Sequence, residues 1–157
     1  MMLSQQDFIR IITLEYNVVK RETEGLSHQD ALIQPETGGN CMNWILGHLV
    51  DNQLNVLKLL NQEPPIKQEE LSNYQRESEP ITEDGPHVIP LERLLQYHKL
   101  VHESVISCLE VVDEKDFQRK IQHRDEEVSV GWRFLFLHFH FTYHLGQLEH
   151  LRRLAGK

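Results

Sequence analysis

The sequence predicts an all-α protein, a four-helix bundle with a long crossover between its second and third helices. Four segments carry apolar residues at helical spacing, and no strand-like alternating segment of any length competes with them. The connection over residues 62–89 is long and polar, which in a helical bundle indicates a chain that crosses along the bundle's length. The 157 residues fit a single domain, 1–157.

The first helix is predicted from about Leu3 to Lys20. Ser4 and Asp7 are three residues apart and can cap its start. Apolar side chains then recur at helical spacing, at Phe8, Ile11, Ile12, Val18 and Val19. The following stretch, residues 26–40, contains Pro35 and a Gly-Gly pair and is predicted to be a connection.

The second helix is predicted from about Cys41 to Asn61, with Asn40 as its N-cap. His48 lies on the apolar stripe of this helix. Pro64 and Pro65 end it, because proline cannot continue a helix. Within the long connection that follows, residues 69–75 are expected to form a short helical turn.

The third helix is predicted from about Leu91 to Val112, with Pro90 in its first turn. His98 and His102 lie on its apolar stripe. Residues 113–120 are predicted to be a charged loop or a short helical turn.

The fourth helix is predicted from Val130 to Leu154, with Ser129 as its cap. Its centre, residues 132–141, is apolar nearly all round, so it is expected to be the most buried helix, with contacts beyond one bundle face. Gly146 interrupts this helix, which suggests close approach by another segment. The aromatic surplus predicts a homodimer, with Trp132 or Phe136 near the contact.

Composition excludes several classes of protein. Lys and Arg total 16 against 24 Asp and Glu, for a net charge of −8, so nucleic acid is not an expected partner. No run of 18 apolar residues predicts a membrane span, and the N-terminus lacks the basic region of a signal peptide. With only Cys41 and Cys108, both expected to be buried thiols, the chain reads as a cytoplasmic protein.

Histidine is abundant, with ten in the chain. Two pairs, His140/His144 and His98/His102, have the i,i+4 spacing that places both imidazoles on one helix face. Chance alone gives roughly 0.6 such pairs, so spacing does not choose between them. The first pair lies in the most apolar segment of the chain, where unpartnered imidazoles are costly. It is therefore the better candidate for a metal site, with His48 as a third ligand.

The candidate ligands are expected to bind a divalent ion, with zinc or nickel expected first, although imidazole also suits copper and iron. Gln147 shares the stripe of His140 and His144 and could orient a ligand. The pair lacks the HExxH signature of zinc proteases, because Phe141 stands where that signature has Glu.

The run Cys41-Met42-Asn43-Trp44-Ile45-Leu46-Gly47-His48-Leu49, followed far downstream by His140-Phe141-Thr142-Tyr143-His144-Leu145-Gly146-Gln147, resembles the DinB/YfiT-like superfamily. The segment Tyr74–Ile81 also resembles the stretch before the family's third helix. The resemblance implies an up-down-down-up bundle and a three-histidine metal site at His48, His140 and His144. Several relatives are thiol-dependent transferases or isomerases that use bacillithiol, mycothiol or glutathione, and many others have no known activity.

Three functions remain open at this point. The first is a metal-dependent enzyme, a thiol transferase or a hydrolase acting on a small molecule, with a low-molecular-weight thiol as a candidate cofactor. The second is a non-catalytic metal-binding or stress-response protein with a structural ion, and the third is a metal-free bundle that dimerises.

Other residues near the candidate site have less certain roles. His98 and His102 could be outer groups of the site or core-edge residues. Arg133 and Tyr143 flank the helix-four pair, and His138 is expected to face away from it.

Overall fold

The computed structural model describes residues 4–157, in which four long helices account for most of the chain. They are α1 (Gln5–Thr23), α2 (Met42–Leu59), α3 (Leu91–Val111) and α5 (Val130–Leu154). A short helix, α4 (Glu114–Gln118), and two strands, β1 (Lys120–His123) and β2 (Glu126–Ser129), precede α5. The prediction of a helical protein is confirmed in its main feature.

The helix ends follow local capping signals. Ser4 and Asp7 form the predicted capping box of α1, whereas the predicted start at Leu3 lies outside the described residues. Ser129 caps α5 by accepting a hydrogen bond from the backbone N–H of Trp132, and the bounds of α5 agree with the prediction. In α2 the N-cap is Cys41 rather than the predicted Asn40.

The β-hairpin is a correction to the prediction that no strand competes with the helices. Strands β1 and β2 pair antiparallel, with Ile121 opposite Val128. Val128 is buried, so the hairpin turns one face towards the bundle. The turn contains no glycine, and Arg124 adopts a positive φ of 55°. The strands were missed because each has only four residues and the turn lacks the usual Asn-Gly or Asp-Gly signal.

Contacts between the long helices fix how they are aligned. Along α1 and α5 residue numbers rise together, from Phe8 against Phe134 to the Glu22 carbonyl, which accepts a hydrogen bond from Arg152. Residue numbers also rise together along α2 and the chain leading into α3, since Asn43 donates a hydrogen bond to the Ile89 carbonyl and Gln53 contacts His98. The crossover between α2 and α3 includes a 3-10 helix at Gln68–Tyr74, close to the predicted helical turn.

The most buried helix is α2, not the predicted fourth helix. Fourteen of the 18 residues of α2 are buried, against seven of the 25 residues of α5. The side chain of Phe139, in the apolar centre of α5, is 70% exposed, because α5 packs on the bundle with one face only. The crossover covers α2 instead, with Leu71 and Tyr74 buried against it.

Close approach by another segment occurs at Gly47 and not at the predicted Gly146. A Cβ added to Gly146 would meet no atom within 4 Å, whereas a Cβ on Gly47 would lie under 3.0 Å from ring atoms of Tyr74. Both cysteines are buried and free, as predicted. None of the helices within residues 4–157 combines the length and the hydropathy that a membrane span requires.

Candidate metal centre

The fold brings His48, His140 and His144 together. One ring nitrogen of each lies within 4.8 Å of those of the other two. His140 and His144 are one turn apart on α5, with their Nε2 atoms 3.2 Å apart. His48 meets them from α2, its ring centroid 5.2 Å from that of His140 and 5.1 Å from that of His144. Of the two predicted i,i+4 pairs, this is the one that gains a third histidine.

The imidazole of His48 is held by three neighbours. Its Nδ1 lies 2.8 Å from the backbone carbonyl of Tyr74, so Nδ1 carries the proton and donates it. The lone pair is therefore on Nε2, which faces the other two histidines and accepts a hydrogen bond of 3.1 Å from the amide of Asn52. The indole of Trp44 stacks on the ring at 4.7 Å, and its Nε1 donates to Ser78.

Gln147 orients His144 as predicted from its place on the stripe. Its Oε1 lies 2.5 Å from Nδ1 of His144, so this nitrogen donates and the lone pair is on Nε2. His140 differs, because its buried Nδ1 has no hydrogen-bond partner among the described residues. Two of the three imidazoles are thus fixed in the tautomer that leaves Nε2 free.

The surroundings keep all three imidazoles neutral. Burial, together with the charges of neighbouring histidines and of Arg133, lowers the pKa of His140 to about 4. Burial also lowers the pKa of His48, against the opposing effects of the Tyr74 carbonyl and Asp51. For His144, burial lowers the pKa although the hydrogen bond to Gln147 raises it. Neutral imidazole is the form that binds a metal ion.

These donors fit a divalent metal ion. Two nitrogen ligands of a tetrahedral zinc ion at about 2.0–2.1 Å lie roughly 3.3 Å apart, close to the Nε2 separation of His140 and His144. Without an ion, one of these two nitrogens must carry a proton and donate it to the other. Three imidazoles also leave a fourth ligand position, as catalytic metal sites do.

His98 and His102 do not join this cluster. Both are buried on α3, where the ring of Tyr16 stacks on His102 at 4.1 Å. His98 Nδ1 lies 3.1 Å from Oε1 of Gln53, and complete burial lowers the pKa of His98 to about 3. They are core residues between α1, α2 and α3.

His138 faces away from His140, as predicted, and contacts α1. Its Nδ1 lies 2.6 Å from a carboxylate oxygen of Glu15. Glu15 is buried, and burial raises the pKa of its carboxyl group against the opposing effect of His138. This pair joins α1 to α5 and lies outside the three-histidine cluster.

A cleft of about 370 Å³ lies near the cluster, although none of the three histidines forms part of its wall. One wall is the loop that precedes α2, which includes Gly38 and Gly39, both with positive φ. The other wall is the C-terminal half of α5, including Tyr143 and Gln147. Because Gln147 also contacts His144, the cleft shares a side chain with the histidine cluster. This cleft and the roles of Tyr74 and Asn52 were not predicted, because no local sequence pattern gives a signal for them.

Comparison with known proteins returned three findings. A family model described as the DinB superfamily matches residues 12–148. A solved structure described as a conserved protein from Enterococcus faecalis is similar at 18% sequence identity, with a TM-score of 0.76 over 100% of both chains. The curated proteins contain no match. At this identity the solved structure supports the fold alone.

Proposed function

Since this chain belongs to the DinB superfamily, we propose that it binds one divalent metal ion through His48, His140 and His144 and is a metal-dependent enzyme. The observation that carries the proposal is the convergence of three neutral imidazoles, two of which have their Nδ1 protons held by Tyr74 and Gln147. Such outer hydrogen bonds are typical of metal-binding histidines. Zinc or nickel is the expected ion, bound through Nε2 of each histidine.

The proposed reaction class is thiol transfer or hydrolysis on a small electrophile. A bound divalent ion lowers the pKa of a water or thiol at its open position and supplies Lewis acidity. The chain's own groups would hold the reactants: the cleft beside Gln147 is large enough for a small molecule, and Tyr143 forms part of its wall. A low-molecular-weight thiol remains part of the proposal because of the resemblance to thiol-dependent relatives.

A second candidate is a non-catalytic metal-binding protein. It is favoured by Asn52, whose amide lies 3.1 Å from Nε2 of His48 and so occupies one side of the candidate centre. If the Asn52 side chain turned its carbonyl oxygen inward, a fourth ligand from the protein would fill the open position. A filled coordination shell would make the ion structural.

The proposed architecture is an up-down-down-up bundle in a cytoplasmic homodimer. The up-down-down-up order of helix directions is supported by the parallel alignment of α1 with α5 and by the contact of Gln53 on α2 with His98 on α3. The dimer is supported by the exposed aromatic side chains of α5, among them Trp132.

The experiment that tests the function begins with metal analysis of protein purified without added metal. One ion per chain is expected, and its loss is expected in His48→Ala, His140→Ala and His144→Ala. His98→Ala and His102→Ala are the matched controls, because they remove a buried histidine outside the cluster. A folded wild type that never binds metal would contradict the proposal. Crystals of the metal-loaded protein then decide between an open position and one filled by Asn52.

A further inference from the structure

A second cleft, of about 480 Å³, is lined by three cationic side chains. They are Lys58 near the end of α2, Arg119 before β1, and Arg133 in the first half of α5. We call this the cationic cleft. The chain has a net charge of −8, so a concentration of positive charge at one place contrasts with the rest of the protein.

Among the described residues, no carboxylate lines the cationic cleft or forms an ion pair with its three cationic side chains, although Nζ of Lys58 donates a hydrogen bond to Oε1 of Gln68. Its remaining lining residues are neutral: Asn55, Leu59, Asn61, Ile121, Gln122 and Leu137. Within residues 4–157 the ion pairs involve other side chains, and none includes Lys58, Arg119 or Arg133.

Both guanidinium groups are held in place with hydrogen-bond donors to spare. Arg119 donates through Nη2 to the Leu59 carbonyl at 2.5 Å, while its buried Nε has no acceptor among the described residues. Arg133 lies over the ring of Phe136 at 4.9 Å, and its buried Nη1 likewise has no acceptor there. Fixed guanidinium donors match the oxygens of carboxylate and phosphate groups.

We propose that the cationic cleft binds an oxyanion, the phosphate or carboxylate group of a small molecule. An oxyanion placed between Lys58, Arg119 and Arg133 would accept hydrogen bonds from the cationic side chains that line the cleft and would offset their unpaired charge. Asn55 and Gln122 at the same cleft provide amide groups for further hydrogen bonds.

The position of the cationic cleft relates it to the histidine cluster. Arg133 precedes His140 by seven residues on α5, and Asn55 follows His48 by seven residues on α2. Seven residues are two helical turns, or about 10 Å along the helix, and keep the same face. The groove between α2 and α5 therefore has the histidines at one level and the cations at another. If the proposed metal-dependent function holds, the oxyanion would anchor a substrate whose reactive group lies roughly 10 Å away.

The test is titration of metal-free protein with inorganic phosphate and, separately, with succinate. Heat is measured by calorimetry, and the Nε–H signals of arginine are followed by NMR. Saturable binding of at least one probe is expected, with shifts in the signals of Arg119 and Arg133. The stronger probe identifies the oxyanion as phosphate or carboxylate.

Variants localise the binding. Arg133→Met and Lys58→Met are each expected to weaken it about tenfold or more, because each removes a charge-assisted hydrogen bond. Lys120→Met is the matched control, since it removes one positive charge from β1 without touching the cationic cleft. Lys58 is exposed, so its variant keeps the test valid even if Arg133→Met fails to fold.

The two proposals fail separately. His140→Ala is expected to lose metal and keep oxyanion binding. Lys58→Met is expected to keep metal and to bind the oxyanion more weakly. Absence of saturable binding, equal weakening by Lys120→Met, or loss of binding in His140→Ala would overturn the oxyanion site and leave the metal proposal standing.

Discussion

Gly47 on α2 packs directly against the ring of Tyr74 in the crossover, so closely that a Cβ at this position would lie under 3.0 Å from the ring atoms. The backbone carbonyl of the same Tyr74 accepts the Nδ1 proton of His48, one residue along α2. The crossover is thereby fastened to α2 beside the candidate metal centre, and the missing side chain of Gly47 lets it approach.

Gly47→Ala is therefore expected to displace Tyr74, lower the free energy of unfolding by about 1–3 kcal/mol, and weaken metal binding. Overpacking against the Tyr74 ring lowers the free energy of unfolding, and loss of the carbonyl partner of His48 weakens metal binding. Denaturant unfolding and metal titration measure them. Gly146→Ala is the matched control, because no atom lies within 4 Å of its added Cβ and alanine favours helix by up to about 1 kcal/mol. Equal effects in both variants would contradict this account of Gly47.

Gln147→Ala is expected to weaken metal binding by about 10–100-fold without abolishing it. Its Oε1 accepts the Nδ1 proton of His144, which fixes both the tautomer and the orientation of the ring. Competition with a chelator of known affinity measures the change. Gln122→Ala serves as control, since Gln122 lies on β1 away from the histidine cluster. Unchanged affinity in Gln147→Ala would mean that His144 needs no such support.

His98 is expected to make stability pH-dependent. Its pKa is about 3 in the folded protein, below the ordinary value of 6.5, so the unfolded chain binds the extra proton between these values. The contribution of neutral His98 to the free energy of unfolding is fully present above pH 6.5 and is lost as the pH falls from 6.5 towards 3. The loss between pH 7.5 and pH 5 is about 2 kcal/mol.

The measurement compares urea unfolding of metal-free wild type and His98→Asn at the two pH values. The variant is expected to be less stable at pH 7.5 but to lose about 2 kcal/mol less on acidification. His150→Asn, an exposed position, is the control and should follow the wild type. Parallel losses in wild type and His98→Asn would show that His98 does not carry this dependence.

Self-association is expected to involve α5. The side chain of Trp132 is 44% exposed and stacks with Phe136 on the outer side of the helix, 5.7 Å between ring centroids. Light scattering at micromolar concentration should give a dimer for the wild type and a monomer for Trp132→Glu, because a charge disfavours burial in an apolar contact. Leu14→Glu, an exposed apolar position on α1, is the control. A monomeric wild type would contradict the prediction.

The sequence determined what depends on residues close together in the chain. Apolar periodicity and the Ser129 cap gave the bounds of α5, and Ser4 and Asp7 gave the start of α1, since a helix is specified within a few residues of each end. The i,i+4 spacing placed His140 and His144 on one face. The acidic composition and the family motifs could likewise be read without coordinates.

Only the tertiary structure decided which histidines meet and what surrounds them. His48 and His140 are 92 residues apart, and their contact depends on how α2 packs against α5. The same packing assembles Lys58, Arg119 and Arg133 into one cleft, although nothing in the sequence groups them. It also decides that α5 exposes aromatic side chains while the crossover buries α2. Local patterns encode which face of a helix is apolar, but contacts between distant segments arise only when all the faces are packed at once.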